Sequence, residues 1–148
     1  FNAICHELFE PDLIFCHLKV KDKKSLLSML CNKLVDKGYV TKKYFKTVME
    51  RENMTPTSIG NGVAIPHGDT QEVNTAKIVI ATLDKPILWD SKYVDVVFLL
   101  VVKFSTDFEI RRTQQFYKQY IKLVDGDEQV SILRGFTSNI DFYRFLIQ

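Results

Sequence analysis

The chain has 148 residues, 46% of them hydrophobic and 26% charged, with a formal net charge of +2. That balance suits one domain with a real core and excludes a disordered chain. So small a charge offers no footprint for a polyanion, and no apolar run approaches the roughly 18–20 residues that span a bilayer.

Glu7, Glu10 and Asp12 interrupt the first apolar stretch, so nothing there reads as a signal peptide. The chain opens on Phe1 rather than methionine, the start expected of a single domain, residues 1–148, cut from a longer protein. Cys5, Cys16 and Cys31 cannot all pair with one another, and each sits among apolar residues. They are expected as reduced, buried thiols of a cytoplasmic protein. In FCHLKV, alternation makes His17 an ordinary strand residue.

KDKKSLLSMLCNKLVDKG follows, with Leu26, Leu27, Leu30, Cys31 and Leu34 at helical spacing. Asp22 or Ser25 suits its start, and Gly38 the position just past its end. TKKYFKTVMEREN predicts a second helix, capped by Thr41, with Tyr44, Phe45, Val48 and Met49 on one face. TPTSIGNG reads as a loop. VAI, AKIVIATL and VDVVFLLVV then carry strand chemistry, and the apolar run Val94–Val102 predicts a central strand covered on both sides. Asp84, Lys85 and Pro86 predict the turn of a hairpin between AKIVIATL and ILW. Helical spacing returns after Phe104, with Phe116, Tyr117, Tyr120, Ile121 and Val124 on one face. A further helix is expected over 127–135, and a last one opening at Ser138 or Asn139. Helices, strands, then helices predict an α/β fold, a mixed sheet of about five strands sandwiched between helices.

The segment GNGVAIPHGDT stands out. Pro66 fixes the backbone ahead of His67, and Gly68 lets the chain turn away without crowding the ring. Gly60, Gly62 and Gly68 are expected to direct backbone N–H groups at one point, as anion-binding nests do. Thr55, Thr57 and Ser58 add hydroxyls, and Arg51 offers a planar fork for phosphate oxygens. A neutral imidazole is a competent nucleophile near pH 7, so these residues point to a histidine that receives a phosphoryl group. Competing chemistries fit less well. No Walker loop is present, nor CxxC, HxxxH or HExxH spacing, nor GxSxG, and neither metal nor cofactor is implied. The dipeptides Cys5-His6 and Cys16-His17 rarely aim both side chains at one ion. Lys42, Lys43 and Lys46, like Arg111 and Arg112, have acidic neighbours and read as solvated helix faces rather than a nucleic-acid groove.

VMERENMTPTSIGNGVAIPHG followed by PILWDSKYVDVVFLLVV resembles the EIIA domain of the fructose/mannitol (type 2) class of the bacterial sugar phosphotransferase system. The resemblance runs from ELFEPDLIF to the closing helices. It implies that His67 accepts phosphate from a small phosphocarrier protein and passes it to a cysteine on a sugar-specific EIIB protein, in the cytoplasm. It implies also that Arg51 is the active-site arginine and that Thr57 and Gly60 lie on the matching loop. Transport members of the class carry a second histidine, whose equivalent here falls near Thr113, yet STDFEIRRTQQF holds none. Arg111 or Arg112 is the candidate electrostatic substitute and Gln114 the candidate hydrogen bonder. The expected function is therefore a phosphorylatable regulatory module of a sugar-responsive transcription regulator. The alternatives are a transport-type EIIA, or a degenerate interaction domain that is never phosphorylated. Neither direct nucleic-acid binding nor membrane insertion is expected of this domain.

Overall fold

The apolar run near residue 100 does become the middle of a sheet. In the computed structural model, which describes all 148 residues, five strands lie in the order β1-β4-β5-β3-β2. They are β1 (Ile14–Leu18), β2 (Ser58–Gly60), β3 (Val63–Ala64), β4 (Lys77–Trp89) and β5 (Lys92–Val101). β1 runs parallel to β4 and β3 parallel to β5, whereas the β4–β5 and β2–β3 pairs are antiparallel. The sheet is mixed, as expected.

Residues 94 and 96–101 of β5 are all buried because both faces of the strand are covered. On one side lie α1 (Lys23–Asp36) and α2 (Tyr44–Met54), which pack with Val97, Leu99 and Val101. On the other lie α3 (Asp107–Leu123), α4 (Asp127–Arg134), α5 (Asn139–Leu146) and the N-terminal 3-10 turn Ala3–Leu8, packed with Val96, Phe98 and Leu100. Asp22 caps α1 by accepting from Ser25 N at 2.8 Å, and Gly38, with φ +76°, follows its end. Thr106 and Glu109 form a reciprocal capping box at the start of α3, and Ser138 caps α5.

Several expectations give way to packing. β4 runs straight through Asp84–Pro86 with only a register shift between Thr82 and Ile87, and the hairpin turns at Asp90–Ser91. The cross-strand pairs Ile87–Val94 and Trp89–Lys92 prolong the ladder past the proline. Thr41 does not cap α2, which begins at Tyr44. Its hydroxyl donates to Glu72 Oε1 at 2.5 Å instead. On α3, Phe116, Tyr120 and Val124 are buried but Tyr117 and Ile121 face solvent. His17 lies in β1 but is no ordinary strand residue. It sits at an irregularity with φ +55°, its backbone N–H on Thr82 Oγ1 and its Nε2 on Arg134 O at 2.7 Å. Cys5 and Cys31 are buried, Cys16 is half-buried, and all three are free thiols. Burial raises all three, Cys31 up to about 12, which keeps them protonated.

Candidate functional site

His67 lies just beyond β3, where the chain still runs alongside β5. Leu100 N donates to Pro66 O at 2.9 Å, and His67 pairs with Leu100 in parallel register. Side chains alternate along this stretch. Val63 and Ile65 pack with the α3–α5 layer and Ala64 with the α1–α2 layer. His67 continues the first set and Gly68 the second. A Cβ on Gly68 would sit 2.5 Å from Thr47 Oγ1 and 2.9 Å from both Tyr44 and Val48, so helix α2 leaves room for glycine alone.

The backbone after the histidine is tied to that helix. Gly68 N donates to the Tyr44 hydroxyl at 3.3 Å, and Asp69 N to Thr47 Oγ1 at 2.9 Å. The half-buried imidazole has Nδ1 3.2 Å from Ile65 O. A donor at Nδ1 leaves the lone pair of the neutral ring on Nε2.

Arg51 stands one helical turn beyond Thr47 and Val48 on the same face of α2. One of its nitrogens, Nη1, donates to Thr55 O at 2.8 Å, and no carboxylate pairs with it, so most of the fork is uncommitted. Thr57 lies at this end of the hairpin, where its carbonyl accepts from Ile65 N at 3.1 Å. The Thr57 hydroxyl is not an open donor, because it is hydrogen-bonded to the buried Glu52 carboxylate.

The glycines divide. Val63 pairs with Val96 and His67 with Leu100, four residues apart, or about 13 Å at the rise of a strand. Gly60 and Gly62 flank Asn61 at the far tip of the hairpin, all three with positive φ. The Gly62 carbonyl accepts from Asp95 N and Val96 N there, and a Cβ on it would meet Arg134 and Asp95 at 2.7 Å. Of the three glycines expected to surround the ring, only Gly68 is beside it. The antiparallel return of β2 carries Thr57 towards His67 and the two earlier glycines away from it.

The region of the missing second histidine is also clear. Thr113 is buried on α3 and donates to Glu109 O at 2.9 Å, so it presents no ring nitrogen. Arg111 and Gln114 are exposed. Arg112 turns towards the start of β4 and the N-terminal turn, lining a cavity that does not include His67.

Residues that sequence reasoning passed over hold the site together. Glu52, 1% exposed, accepts from Thr57 N at 3.3 Å and Trp89 Nε1 at 2.9 Å, and pairs with Lys23 Nζ at 2.8 Å. Lys23 also lies over the Trp89 ring, 5.0 Å from its centroid. Only the Arg-Glu dipeptide beside a threonine five residues on hinted at this knot.

The profile of the phosphoenolpyruvate-dependent sugar phosphotransferase system EIIA 2 family matches residues 7–148. The chain belongs to that family. This EIIA domain is 32% identical over 136 residues to the transcriptional regulator ManR of Bacillus subtilis, covering 92% of this chain and 20% of the regulator. It is 35% identical over 95 residues to the mannitol-specific phosphotransferase enzyme IIA component of Staphylococcus aureus, 62% of this chain and 65% of that one. The EIIA domain thus spans about a fifth of the regulator and under two thirds of the transport component. Its fold is shared with Escherichia coli enzyme IIA mannitol, solved in complex with phosphorylated enzyme IIB mannitol. The TM-score is 0.75 at 18% identity, over 93% of this chain and 97% of that one. No helix of this EIIA domain is long and apolar enough to cross a membrane.

Proposed function

We propose that this EIIA domain accepts a phosphoryl group on His67 Nε2 from a phosphocarrier protein, in the cytoplasm, and reports it as a regulatory module of a larger transcription regulator. The observation that carries the chemistry is the Nδ1 contact to Ile65 O, which points the lone pair of the neutral ring outwards. The Nε2 lone pair attacks the phosphorus of the donor phosphohistidine. The donor N–P bond breaks, its electron pair returns to the donor imidazole, and the new N–P bond forms on His67. Positive character on the phosphorylated ring is dispersed through Nδ1–H to the Ile65 carbonyl. Arg51 places its free N–H groups on the phosphoryl oxygens, and Gly68 and Thr57 hold the backbone on either side.

The regulatory role is favoured by two observations. The ManR likeness covers 92% of this chain, and α3 offers Thr113, with its hydroxyl spent on its own helix, where onward transfer would call for a second imidazole. The likeness to the Staphylococcus aureus transport component supports the second reading, a carrier passing phosphate from His67 to an EIIB protein. Labelled phosphoenolpyruvate, enzyme I and the phosphocarrier protein test the shared step. Acid-labile label is expected on the wild type and none on His67→Ala; label persisting on that variant overturns the assignment. Adding a phosphate-accepting EIIB then separates the readings, since a regulatory module retains its label and a transport carrier is chased.

A further inference from the structure

Helix α3 carries two apolar stripes, and the core takes up only one of them. Phe116, Tyr120 and Val124 are buried, with the Tyr120 ring edge-on to Phe98 of β5 and the centroids 4.9 Å apart. Ile110, Tyr117 and Ile121 are 39%, 38% and 63% exposed. With the exposed Gln114 they recur at intervals of four, three and four residues, the spacing of a coiled-coil seam. The opposite flank of α3 is the one held by the N-terminal turn. Asn2 N donates to Gln119 Oε1 at 2.8 Å, Asn2 Nδ2 to Gln115 Oε1 at 3.2 Å, and Cys5 Sγ to Arg112 O at 3.8 Å. The exposed stripe therefore faces away from that turn, towards solvent.

The charges beside the stripe are of one sign. Arg111 and Lys118, both exposed and seven residues apart, follow one line of the helix. Neither takes part in an ion pair. The acids of the first turn leave them unmatched. Glu109 is committed to the capping box, where Oε1 accepts from Ser105 N and Thr106 N, and Asp107 forms no ion pair with Arg111 one turn on. From Ile110 to Leu123 the helix holds no acidic residue. An apolar seam with a cationic flank fits a helix whose own seam is flanked by carboxylates. A second copy of the domain fits poorly, because pairing α3 with itself about a two-fold axis sets Arg111 and Lys118 against the same cations. A lipid surface fits poorly too, since it would bury the Gln114 amide without a hydrogen-bond partner, which a helix is able to supply.

We propose that the outer face of α3, formed by Ile110, Gln114, Tyr117 and Ile121 with Arg111 and Lys118 beside them, is a docking surface for an acidic amphipathic helix of a partner protein. The partner's apolar residues pack between those of the stripe, and its carboxylates pair with Arg111 and Lys118. A polar side chain opposite Gln114 sets the register. This surface recognises a helix and transfers no group, so the proposal does not depend on phosphoryl transfer to His67.

Backbone-amide NMR titration of the intact domain tests it with two synthetic helical peptides. Both carry leucine at the a and d positions and one central asparagine; one has glutamate at e and g, the other lysine. The glutamate peptide is expected to move the Ile110, Gln114, Tyr117 and Ile121 signals saturably, with a dissociation constant on the order of 0.1 mM. The lysine peptide should bind about tenfold more weakly or worse. Ile121→Glu, at an exposed position, should weaken the glutamate peptide by about tenfold or more. The double variant Arg111→Glu, Lys118→Glu should reverse the preference, which a general affinity for apolar peptides would not do. The domain alone should sediment as a monomer and stay free of phosphatidylglycerol vesicles, and Ile121→Glu should take up phosphate at the wild-type rate. The proposal is overturned by equal binding of the two peptides, by no binding, or by shifts away from the outer face of α3. It is overturned also if Ile121→Glu dissolves a dimer, abolishes vesicle binding or slows phosphate uptake. Those outcomes identify a second copy, a lipid surface and the phosphocarrier, respectively, as the occupant. If Ile121→Glu fails to fold, the preference of the double variant decides alone.

Discussion

The Tyr44 hydroxyl receives the N–H of Gly68, the residue directly after the candidate phosphoacceptor, at 3.3 Å. The same hydroxyl donates to Leu100 O at 3.4 Å, on the strand that His67 pairs with. One phenol, fully buried on α2, thus ties the histidine loop to the central strand. Burial holds that phenol far above its usual range, so it remains a neutral donor at any working pH.

Tyr44→Phe removes both bonds and strands a backbone donor and acceptor. Both contacts are long, so the expected loss is modest, about 1–2 kcal/mol. It should appear as a lower urea midpoint at unchanged slope. Phosphoryl uptake by His67 should slow as well, because the loop loses its anchor; wild-type kinetics would show that Gly68 is held by packing alone.

Glu52→Ala should be far more damaging. It leaves Lys23, Trp89 Nε1 and Thr57 without their common acceptor inside the domain. Breaking a buried ion pair from one side typically costs about 3–5 kcal/mol. Glu52→Gln, which keeps an acceptor oxygen, should lose less. Denaturant midpoints of the two variants check the order, and a reversed order would remove the carboxylate charge from the account.

Arg51→Ala is expected to leave stability within about 0.5 kcal/mol of wild type, since its side chain has one exposed hydrogen bond. Its effect should fall on transfer. Removing one charge-bearing donor from a phosphoryl site is expected to slow uptake by about two orders of magnitude. Single-turnover phosphorylation measures this, and an unchanged rate excludes Arg51 from the site.

Acid stability should report on Glu10. Burial works to raise its carboxyl, but hydrogen bonds from Lys77, Tyr39 and Lys37 outweigh it and bring the value from 4.5 down to about 2. A folded value below the unfolded one means stability that is complete above pH 4.5 and lost as pH falls towards 2. Asp22, lowered by its cap bond to Ser25, acts in the same direction. Glu10→Gln should therefore flatten the stability profile across that window while Asp22 keeps a remainder. Thermal melts between pH 5 and pH 2 in matched salt provide the check, and an unflattened profile would show that the network is screened away.

Local chemistry made most of this domain legible. The spacing of Leu26 to Leu34 predicts α1, the β-branched run predicts β5, and Pro66–His67–Gly68 picks out the presented imidazole, because each signal acts within a few residues. The hairpin at Asp84–Pro86 was misplaced for the same reason. Turn residues attract attention locally, whereas the ladder carries on to Asp90 through cross-strand pairs that no short window contains. His17 likewise looks alternating in sequence, and only Thr82 and Arg134 explain its left-handed backbone.

By itself, the sequence determined the α/β class and the family, and it singled out His67 and Arg51 as the candidate site. Tertiary structure decided which neighbours those residues keep. It placed Gly68 beside the ring and sent Gly60 and Gly62 to the other end of the hairpin, because an antiparallel return reverses the order of residues along the sheet. It also buried Glu52 as the common acceptor and turned Arg112 away from His67. Residue types and spacing set what a side chain is able to do. Strand pairing and helix packing set what lies within hydrogen-bond reach of it, through contacts between residues far apart in the chain.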